Sequence, residues 1–150
     1  MKNATLGFIT KDNQILLAMK KRWFGAGLYN GIGGKQEKWE TIQQAMIREA
    51  KEEIGIEIEN LEQVWILNFY FETKPDWNQK VYVFKILDYN GQPLESEEMK
   101  PYWFNINDLP FDKMRADDEI WFQDFLNGTN FEYTFHFDKD GKLSKREKNL

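Results

Sequence analysis

Three observations predict an α+β fold in which helices pack against a mixed β-sheet. The 150 residues of the chain correspond to one domain, and a chain of this length buries roughly two thirds of its unfolded surface in a single core. Aromatic residues make up 16% of the sequence, whereas disordered chains are poor in them. Segments with helical and strand patterns follow one another without the regular βαβ alternation of a parallel sheet. We therefore expect residues 1–150 to form a single domain.

The N-terminal part of the chain predicts a β-hairpin followed by a glycine-rich loop. Residues 6–10 and 15–19 have the apolar composition of strands, and residues 11–14 between them are polar. Residues 23–34 then contain five glycines, which forbid a regular element and allow the backbone to approach a ligand closely. A flexible linker would have the same glycine content, but the aromatic residues of this segment favour a functional loop.

One helix is predicted over residues 42–54, with a clear start and end. Thr41, followed three residues later by Gln44, has the form of a capping box, and Gly55 stands where a helix takes a left-handed C-terminal residue. Apolar residues recur at four-residue steps and predict a stripe that packs on a sheet. The stripe comprises Ile42, Met46, Ala50 and Ile54, with Ile47 beside them.

Further strands and a second helix are predicted in the remainder of the chain. Residues 64–71, 81–87, 102–106 and 131–137 have the β-branched or aromatic composition of strands. The first two of these segments are expected to form a pair of long strands. Either acid of the pair Asp117-Asp118 can cap a helix that runs to Leu126. After Asp140 and Gly141 the chain is expected to continue as a polar tail.

Composition excludes several classes of function. The net charge of −5 argues against a surface that binds a nucleic-acid polymer. The absence of cysteine excludes disulfides, thiolate zinc sites and cysteine nucleophiles, and a single histidine, His136, argues against a Ser-His-Asp triad. No apolar run approaches the roughly 18 residues of a membrane helix, so we expect a cytoplasmic protein without a membrane partner.

Charge is distributed unevenly along the chain. Residues 1–35 contain six basic residues and one acidic residue, whereas residues 36–150 contain 14 basic and 24 acidic residues. A folded domain can therefore present a basic strip beside an acidic one. Such a surface suits a small anion that is carried together with a metal cation.

Three glutamates share one face of the first predicted helix. Glu49, Glu52 and Glu53 stand at i, i+3 and i+4, which places them within an arc of about 100°. Like charges at this spacing repel one another, and Arg48 can pair with Glu52. Carboxylates without nearby His or Cys select Mg²⁺, Mn²⁺ or Ca²⁺ over zinc. The alternative is a solvated acidic helix face.

The glutamates lie within a longer motif, because residues 34–56 read GKQEKWETIQQAMIREAKEEIGI. This segment resembles the box of the Nudix hydrolases position for position, and nine defined positions in 23 residues make a specific match. The matching residues are Gly34, Glu40, Arg48, Glu49, Ala50, Glu52, Glu53, Gly55 and Ile56. The resemblance implies the Nudix fold, an α/β/α sandwich around a mixed sheet.

Most of the chain from Thr5 to Phe137 resembles the animal-type MutT-homologue subfamily, whose members hydrolyse oxidised purine nucleoside triphosphates such as 8-oxo-dGTP. Matching positions outside the box include Met19, Lys20, Asn30, Gly31, Glu98, Pro101, Trp103, Pro110, Asp117, Asp118 and Trp121. The resemblance implies hydrolysis of a nucleoside triphosphate to the monophosphate and pyrophosphate. This activity removes damaged nucleotides before they enter DNA.

The resemblance also implies a metal centre with Mg²⁺, or alternatively Mn²⁺, as cofactor. Its ligands would be Glu49, Glu52 and Glu53, with the backbone carbonyl of Gly33. The metal would bridge phosphate oxygens and lower the pKa of a bound water. Arg48 would orient the catalytic carboxylates. Some family members use an acid from a later loop, for which Glu98 is the matching residue, although Glu98 is equally compatible with plain surface charge.

The base pocket implied by the resemblance has polar and aromatic members. Asn30, Asp117 and Asp118 would hydrogen-bond the purine edges, and Thr5, Phe24 and Phe69 would line the pocket. Two adjacent acids in a dry pocket can share a proton, so that one donates and the other accepts. Helix capping remains the alternative for the two aspartates. Lys20 lies where it could meet the triphosphate or simply protect a strand edge.

One position departs from the subfamily pattern. The subfamily has a tryptophan two residues before the Asp pair as a stacking wall for the base, and here that position is Arg115. A guanidinium can stack on a purine or reach a phosphate, and Trp23 offers an alternative wall.

Two other functions stay open at this stage. The first is Nudix chemistry on another substrate, such as an unmodified nucleotide, a dinucleotide polyphosphate or a sugar nucleotide. The second is a non-catalytic domain that senses nucleotides, against which all the box acids argue by their presence. The sequence does not distinguish a monomer from a homodimer.

Overall fold

The computed structural model describes residues 1–22, 26–115, 117–128 and 132–149. Within these ranges the strands are β1 (Lys2–Phe8), β2 (Thr10–Lys11), β3 (Gln14–Lys20), β4 (Tyr29–Asn30), β5 (Glu57–Phe71), β6 (Gln79–Asn90), β7 (Met99–Asn105), β8 (Glu132–Phe137) and β9 (Leu143–Asn149). The α-helices are α1 (Ile42–Ile54) and α2 (Asp118–Leu126), and short 3-10 turns occur at Pro75–Trp77 and Phe111–Lys113. No helix in the described ranges is long and apolar enough to cross a membrane.

The strands form two sheets. The larger one has the order β1-β6-β5-β8-β9, with parallel pairs β1·β6 and β5·β8 and antiparallel pairs β5·β6 and β8·β9. In the smaller sheet, β3 pairs with each of β2, β4 and β7, and all three pairs are antiparallel. The predicted pair of long strands is confirmed as β5 and β6, and the predicted mixed sheet is the larger one.

Alternate strand residues point to two separate cores, one under each helix. Leu6 and Phe8 of β1 pack with Trp121 and Phe122 of α2 in the first core. The second core packs Met46, Ala50 and Ile54 of α1 against residues of β3 and β6, including Leu16 and Phe84. Because the two cores lie on opposite faces of the strands, the molecule has the predicted helix-sheet-helix layering.

Helix α1 has the bounds and caps expected from its sequence. Thr41 accepts a hydrogen bond from the backbone N–H of Gln44, whose side chain bonds the Thr41 N–H in return. Gly55 ends the helix in the left-handed conformation, with φ 73°. The expectation that Ile47 belongs to the buried stripe is wrong, because this residue is 36% exposed. It lies about 100° around the helix from Met46 and so faces away from the sheet.

The predicted opening hairpin is wrong in its first strand. Residues 2–8 form β1, which pairs in parallel with β6 in the larger sheet, and only Thr10–Lys11 pairs with β3. Asp12 and Asn13 make the turn, both with positive φ, as a tight two-residue hairpin requires. The chain changes sheets between residues 8 and 10 because Leu6 and Phe8 are buried against α2, a contact that strand periodicity does not reveal.

The predicted polar tail is instead a strand. Residues 143–149 form β9, which pairs antiparallel with β8 at the edge of the larger sheet. Tyr133 of β8 and Lys148 of β9 both contact the Asp124 carboxylate on α2, at 2.7 and 3.0 Å. The polar composition of β9 is typical of an edge strand, where charged side chains prevent pairing with other molecules. Strand β8 is described from Glu132; residue 131 lies outside the described ranges.

Candidate active site

The glutamate face of α1 lies against the segment that follows β4. The backbone N–H of Gly33 donates a hydrogen bond of 2.7 Å to Oε1 of Glu53, which is only 3% exposed. A β-carbon on Gly34 would stand 2.5 Å from the Glu49 carboxyl group, and one on Gly33 would stand 2.0 Å from the backbone oxygen of Thr5. Both glycines are therefore required for the close contact between this segment, β1 and α1.

Arg48 organises the carboxylates through all three of its guanidinium nitrogens. Nε and Nη2 each donate a hydrogen bond of 2.8 Å to the Glu40 carboxylate. Nη1 donates to Glu49 at 3.0 Å and to Glu52 at 3.2 Å. The second N–H of Nη2 donates to the backbone carbonyl of Lys35 at 3.0 Å. These contacts use all five N–H donors of a guanidinium. The paired arginine holds the pKa of Glu40 below its usual range. Arg48 thus fixes the relative positions of three box glutamates, one of which, Glu40, belongs to the loop before α1.

The three glutamates differ in their surroundings although they share one helix face. The Glu52 side chain is 60% exposed at the outer edge, whereas that of Glu49 is 16% exposed. Burial raises the pKa of Glu53 to about 8; the Gly33 N–H opposes this shift, and the negative charges of Glu49 and Glu98 add to it. Burial likewise raises the pKa of Glu49, although Arg48 opposes the shift. Carboxylates crowded in this way favour the binding of a cation.

Glu98 approaches the same cluster from the residue before β7. Its negative charge raises the pKa of both Glu49 and Glu53, so Glu98 lies within electrostatic range of the box acids. Arg22 lies 3.7 Å from Glu98 and 3.6 Å from Glu97. Lys20 also faces the cluster, and its charge lowers the pKa of Glu53. The basic residues Lys20 and Arg22 therefore lie close to acidic residues at this end of the site.

The donor set of the cluster fits a divalent metal with hard oxygen ligands. Glu49, Glu52, Glu53 and Glu98 supply carboxylate oxygens, while the sequence contains no cysteine and its single histidine, His136, lies on β8. In the described part of the chain no group of three or more His, Asp or Glu residues is spaced as a ready-made ion site. Arg48 and the Gly33 N–H hold carboxylate oxygens instead, and a metal would take these oxygens in exchange.

A cavity of about 520 Å³ begins at the same glycines. The predicted ligand residues that line it are Thr5, Lys20, Asn30, Gly33, Phe69, Arg115, Asp117 and Asp118. Two predicted members of the pocket, Trp23 and Phe24, lie outside the described residues. The structure thus brings together the remaining members of the predicted base pocket, and Gly33 connects the cavity to Glu53.

Two buried aspartates also line this cavity. Asp117 and Asp118 are each 2% exposed. Oδ2 of Asp117 accepts a hydrogen bond of 3.2 Å from Trp121 Nε1, and Oδ2 of Asp118 accepts one of 3.0 Å from the Arg115 backbone N–H. Asp117 holds the N-cap position of α2 but its side chain makes no capping hydrogen bond. Helix capping therefore does not explain this carboxylate.

Arg115 forms part of the cavity wall beside these acids. The centre of its guanidinium lies 4.8 Å from the ring centroid of Phe69, and its Nε lies 3.3 Å from Oδ1 of Asp117. Phe69 in turn stacks on Phe135 at 5.7 Å between centroids. Arg115 is thus placed by an aromatic face on one side and a carboxylate on the other.

Several functional contacts are not among the sequence predictions. Trp121 supplies a buried indole N–H to Asp117, and the spacing of four residues on a helix is the signal that could have found it. Asp76 and Trp77, from the 3-10 turn after β5, also line the cavity. No sequence motif marks this turn as part of the site.

Comparison with known proteins covers most of the chain. A family model described as the NUDIX domain matches residues 2–125. The oxidized purine nucleoside triphosphate hydrolase of Danio rerio is 41% identical over 133 residues, which cover 89% of this chain and 85% of the fish protein. The protein of the same name from Mus musculus is 40% identical over 141 residues, which cover 93% of this chain and 90% of the mouse protein. The crystal structure of a mutator MutT protein from Bacillus halodurans has a TM-score of 0.85 and 28% identity, covering 99% of this chain and 97% of that one.

Proposed function

Because the chain belongs to the NUDIX family, we propose that it hydrolyses oxidised purine nucleoside triphosphates to the monophosphate and pyrophosphate. One observation carries the proposal. A single cavity contains a buried pair of aspartates, Asp117 and Asp118, and also the glycine segment that bonds Glu53. Such a cavity can hold a base at one end and bring the phosphates to the carboxylate cluster at the other. The activity for which the fish and mouse relatives are named supports the same substrate class.

We propose Mg²⁺ as the cofactor, with Glu49, Glu52 and Glu53 and the Gly33 carbonyl as ligands, and Glu98 as an additional acid. When bound, the ion would supply positive charge to the phosphates and lower the pKa of a water molecule. The chain itself positions these groups. Arg48 holds Glu49 and Glu52 through one nitrogen, and the Gly33 N–H holds Glu53.

The remaining cavity residues bind and orient the substrate. Lys20 adds positive charge beside the carboxylates, where the triphosphate would lie. Asn30, Asp117 and Asp118 offer donors and acceptors to the purine edges, and Phe69 provides an apolar wall. Correct placement of the triphosphate relative to the carboxylates contributes to catalysis because it removes the cost of aligning the reacting groups during the reaction. A cytoplasmic location, where nucleotide pools are found, belongs to the same proposal.

The products of the reaction test this function. Incubation of the protein with 8-oxo-dGTP and Mg²⁺ is expected to give equal amounts of 8-oxo-dGMP and pyrophosphate, because the family chemistry separates the two outer phosphates together. Phosphorus NMR and liquid chromatography measure both products. A chelator in excess over Mg²⁺ is the control and should stop the reaction. Release of orthophosphate with the nucleoside diphosphate, or binding without turnover, would contradict the proposal.

A further inference from the structure

We propose that Lys21 is a positioning residue, which holds the segment 95–98 in place and thereby keeps the Glu98 carboxylate beside the glutamates of α1. This inference rests on the proposed function, because it takes Glu98 to be an acid of the metal centre. Its physical basis is a set of contacts from one lysine to three of the four residues in that segment.

Glu98 is not held in place by burial. Its side chain is 46% exposed, and residues 91–98, which connect β6 to β7, contain no helix or strand. Exposed connections of this kind are more mobile than the elements they join. The position of the Glu98 carboxylate therefore depends on specific contacts that fix the backbone before β7.

Lys21 makes such contacts with both its backbone and its side chain. Its backbone N–H donates a hydrogen bond of 2.8 Å to the carbonyl oxygen of Glu98. Its ammonium group donates one of 2.9 Å to the carbonyl oxygen of Ser96 and also pairs with the Glu95 carboxylate. Because Lys21 directly follows β3, which pairs with β7, these bonds extend the contact between the two strands to the segment that precedes β7.

Ser96 connects the Lys21 ammonium group to the backbone of Glu98. The Ser96 hydroxyl oxygen accepts hydrogen bonds from the backbone N–H groups of Glu98 and Met99, at 3.3 and 3.2 Å. The Ser96 N–H donates to the Met99 carbonyl at 2.9 Å. Residues 96–99 therefore form a closed turn, which Lys21 bonds at the Ser96 carbonyl. Without the ammonium group this turn can shift, and Glu98 shifts with it.

The neighbouring basic residue, Arg22, is placed differently. Its guanidinium lies 3.7 Å from the Glu98 carboxylate and 3.6 Å from that of Glu97, so it approaches the oxygens that a metal would take. Among the described residues, the side-chain bonds of Lys21 go instead to the Ser96 carbonyl and to Glu95. Lys21 can therefore hold the segment while the Glu98 carboxylate remains available to a cation.

Metal affinity, measured without turnover, gives the first test. Lys21→Met keeps an unbranched side chain and removes the ammonium group. In a Mn²⁺ titration followed by electron paramagnetic resonance without nucleotide, we expect its Kd to rise about tenfold, as is usual when a group that orients a metal ligand is lost. Lys21→Arg keeps the charge and the donors and should stay within about threefold of wild type. Lys145→Met removes an exposed lysine that pairs with Glu147 on β9 and is the control, with no expected change.

Steady-state kinetics with 8-oxo-dGTP at saturating Mg²⁺ show whether Lys21 acts through Glu98. We expect Lys21→Met to lower kcat about tenfold and to leave KM within about twofold, because no described residue of segment 95–98 lines the cavity. In a Glu98→Gln background the same substitution should lower kcat by less than about twofold, since a residue that acts through another has no further effect once that one is lost. A purely structural role would give the same loss in both backgrounds.

The inference is overturned if Lys21→Met leaves the Mn²⁺ affinity or kcat unchanged, if Lys21→Arg loses as much as Lys21→Met, or if the effects of Lys21→Met and Glu98→Gln are additive. Ser96→Ala removes the hydroxyl group from the same turn and carries the same expectations if Lys21→Met does not fold. Mn²⁺ binding that depends on Lys21, in a protein that does not hydrolyse 8-oxo-dGTP, would overturn the proposed function alone. A wild-type protein that binds no Mn²⁺ would overturn both.

Discussion

Glu53→Gln is expected to lower kcat for 8-oxo-dGTP by about 10³-fold or more, because a loss of roughly 4 kcal/mol of transition-state stabilisation corresponds to that factor. The substitution removes a carboxylate that we propose as a metal ligand and keeps the size of the side chain. The amide oxygen of glutamine can still accept the hydrogen bond from Gly33, which is 2.7 Å long in the wild type. The glycine segment should therefore remain in place while the chemistry is lost.

The same substitution should leave stability unchanged or increase it. A neutral amide at position 53 avoids the cost of ionising a buried carboxyl group beside Glu49 and Glu98, a cost that the wild-type protein bears as pH rises through the Glu53 pKa of about 8. We expect the metal-free variant to unfold at the wild-type temperature or above it, a separation of activity from stability that is typical of functional sites. Glu62→Gln, at an exposed position of β5, is the matched control and should change neither property. Full activity of Glu53→Gln would remove Glu53 from the proposed centre.

Gly33→Ala is expected to damage both the fold and the activity. The new methyl group would lie 2.0 Å from the backbone oxygen of Thr5, so the segment must move away from β1. We expect unfolding free energy to fall by about 3 kcal/mol, the upper range for overpacking. A displacement of about 1 Å at the Glu53 contact would lower kcat by roughly 10²-fold. Denaturant titration and steady-state kinetics measure the two effects.

A substitution at a second glycine, Gly141, is the control that separates the effect of steric overlap from the effect of backbone strain. Gly141 has φ 76°, and a β-carbon added to it would meet nothing within 4 Å. Gly141→Ala therefore tests the conformational cost alone, which is roughly 1–2 kcal/mol for a residue with a β-carbon in the left-handed region. Its activity should equal that of wild type. If Gly33→Ala is no less stable than Gly141→Ala and fully active, the close approach of Gly33 to Thr5 does not shape the site.

Local signals explain why the catalytic helix can be predicted from sequence. Thr41, Gln44 and Gly55 specify the two ends of α1 through contacts within a few residues. With those ends defined, helical spacing places Glu49 and Glu53 on one face without knowledge of the rest of the fold. The match to the Nudix box depends on the same helix, so the local pattern and the family resemblance predict the same structure.

Contacts between distant segments are harder to predict. The parallel pairing of β1 with β6 joins Leu6 to Val83, and apolar alternation identifies such strands but not their partners. The two positive φ angles at Asp12 and Asn13 belong to a turn that periodicity places correctly, although the first strand of the predicted hairpin is wrong. The prediction of a polar tail is wrong because an edge strand and an irregular tail have similar polar composition.

The members of the site are easier to predict than their contacts. Family resemblance identifies Arg48 as an orienting residue, but its bidentate bond to Glu40, eight residues earlier, depends on how the loop before α1 folds. The sequence also shows Arg115 as a departure from the subfamily pattern. Its stacking on Phe69 and its approach to Asp117 depend on the tertiary fold, because residues 69 and 115 come from separate elements.

The most direct test of the central claim is a comparison of kcat/KM for 8-oxo-dGTP, dGTP, ADP-ribose and a diadenosine polyphosphate, each with Mg²⁺ and the wild-type protein. We expect 8-oxo-dGTP to exceed each of the others by about tenfold or more, since a site that hydrogen-bonds purine edges discriminates strongly against substrates that leave its polar groups unpaired, and dGTP lacks the N7 donor and the C8 oxygen of the oxidised base. Faster hydrolysis of ADP-ribose or of the dinucleotide would contradict the assignment to oxidised purine triphosphates, and so would equal rates for 8-oxo-dGTP and dGTP.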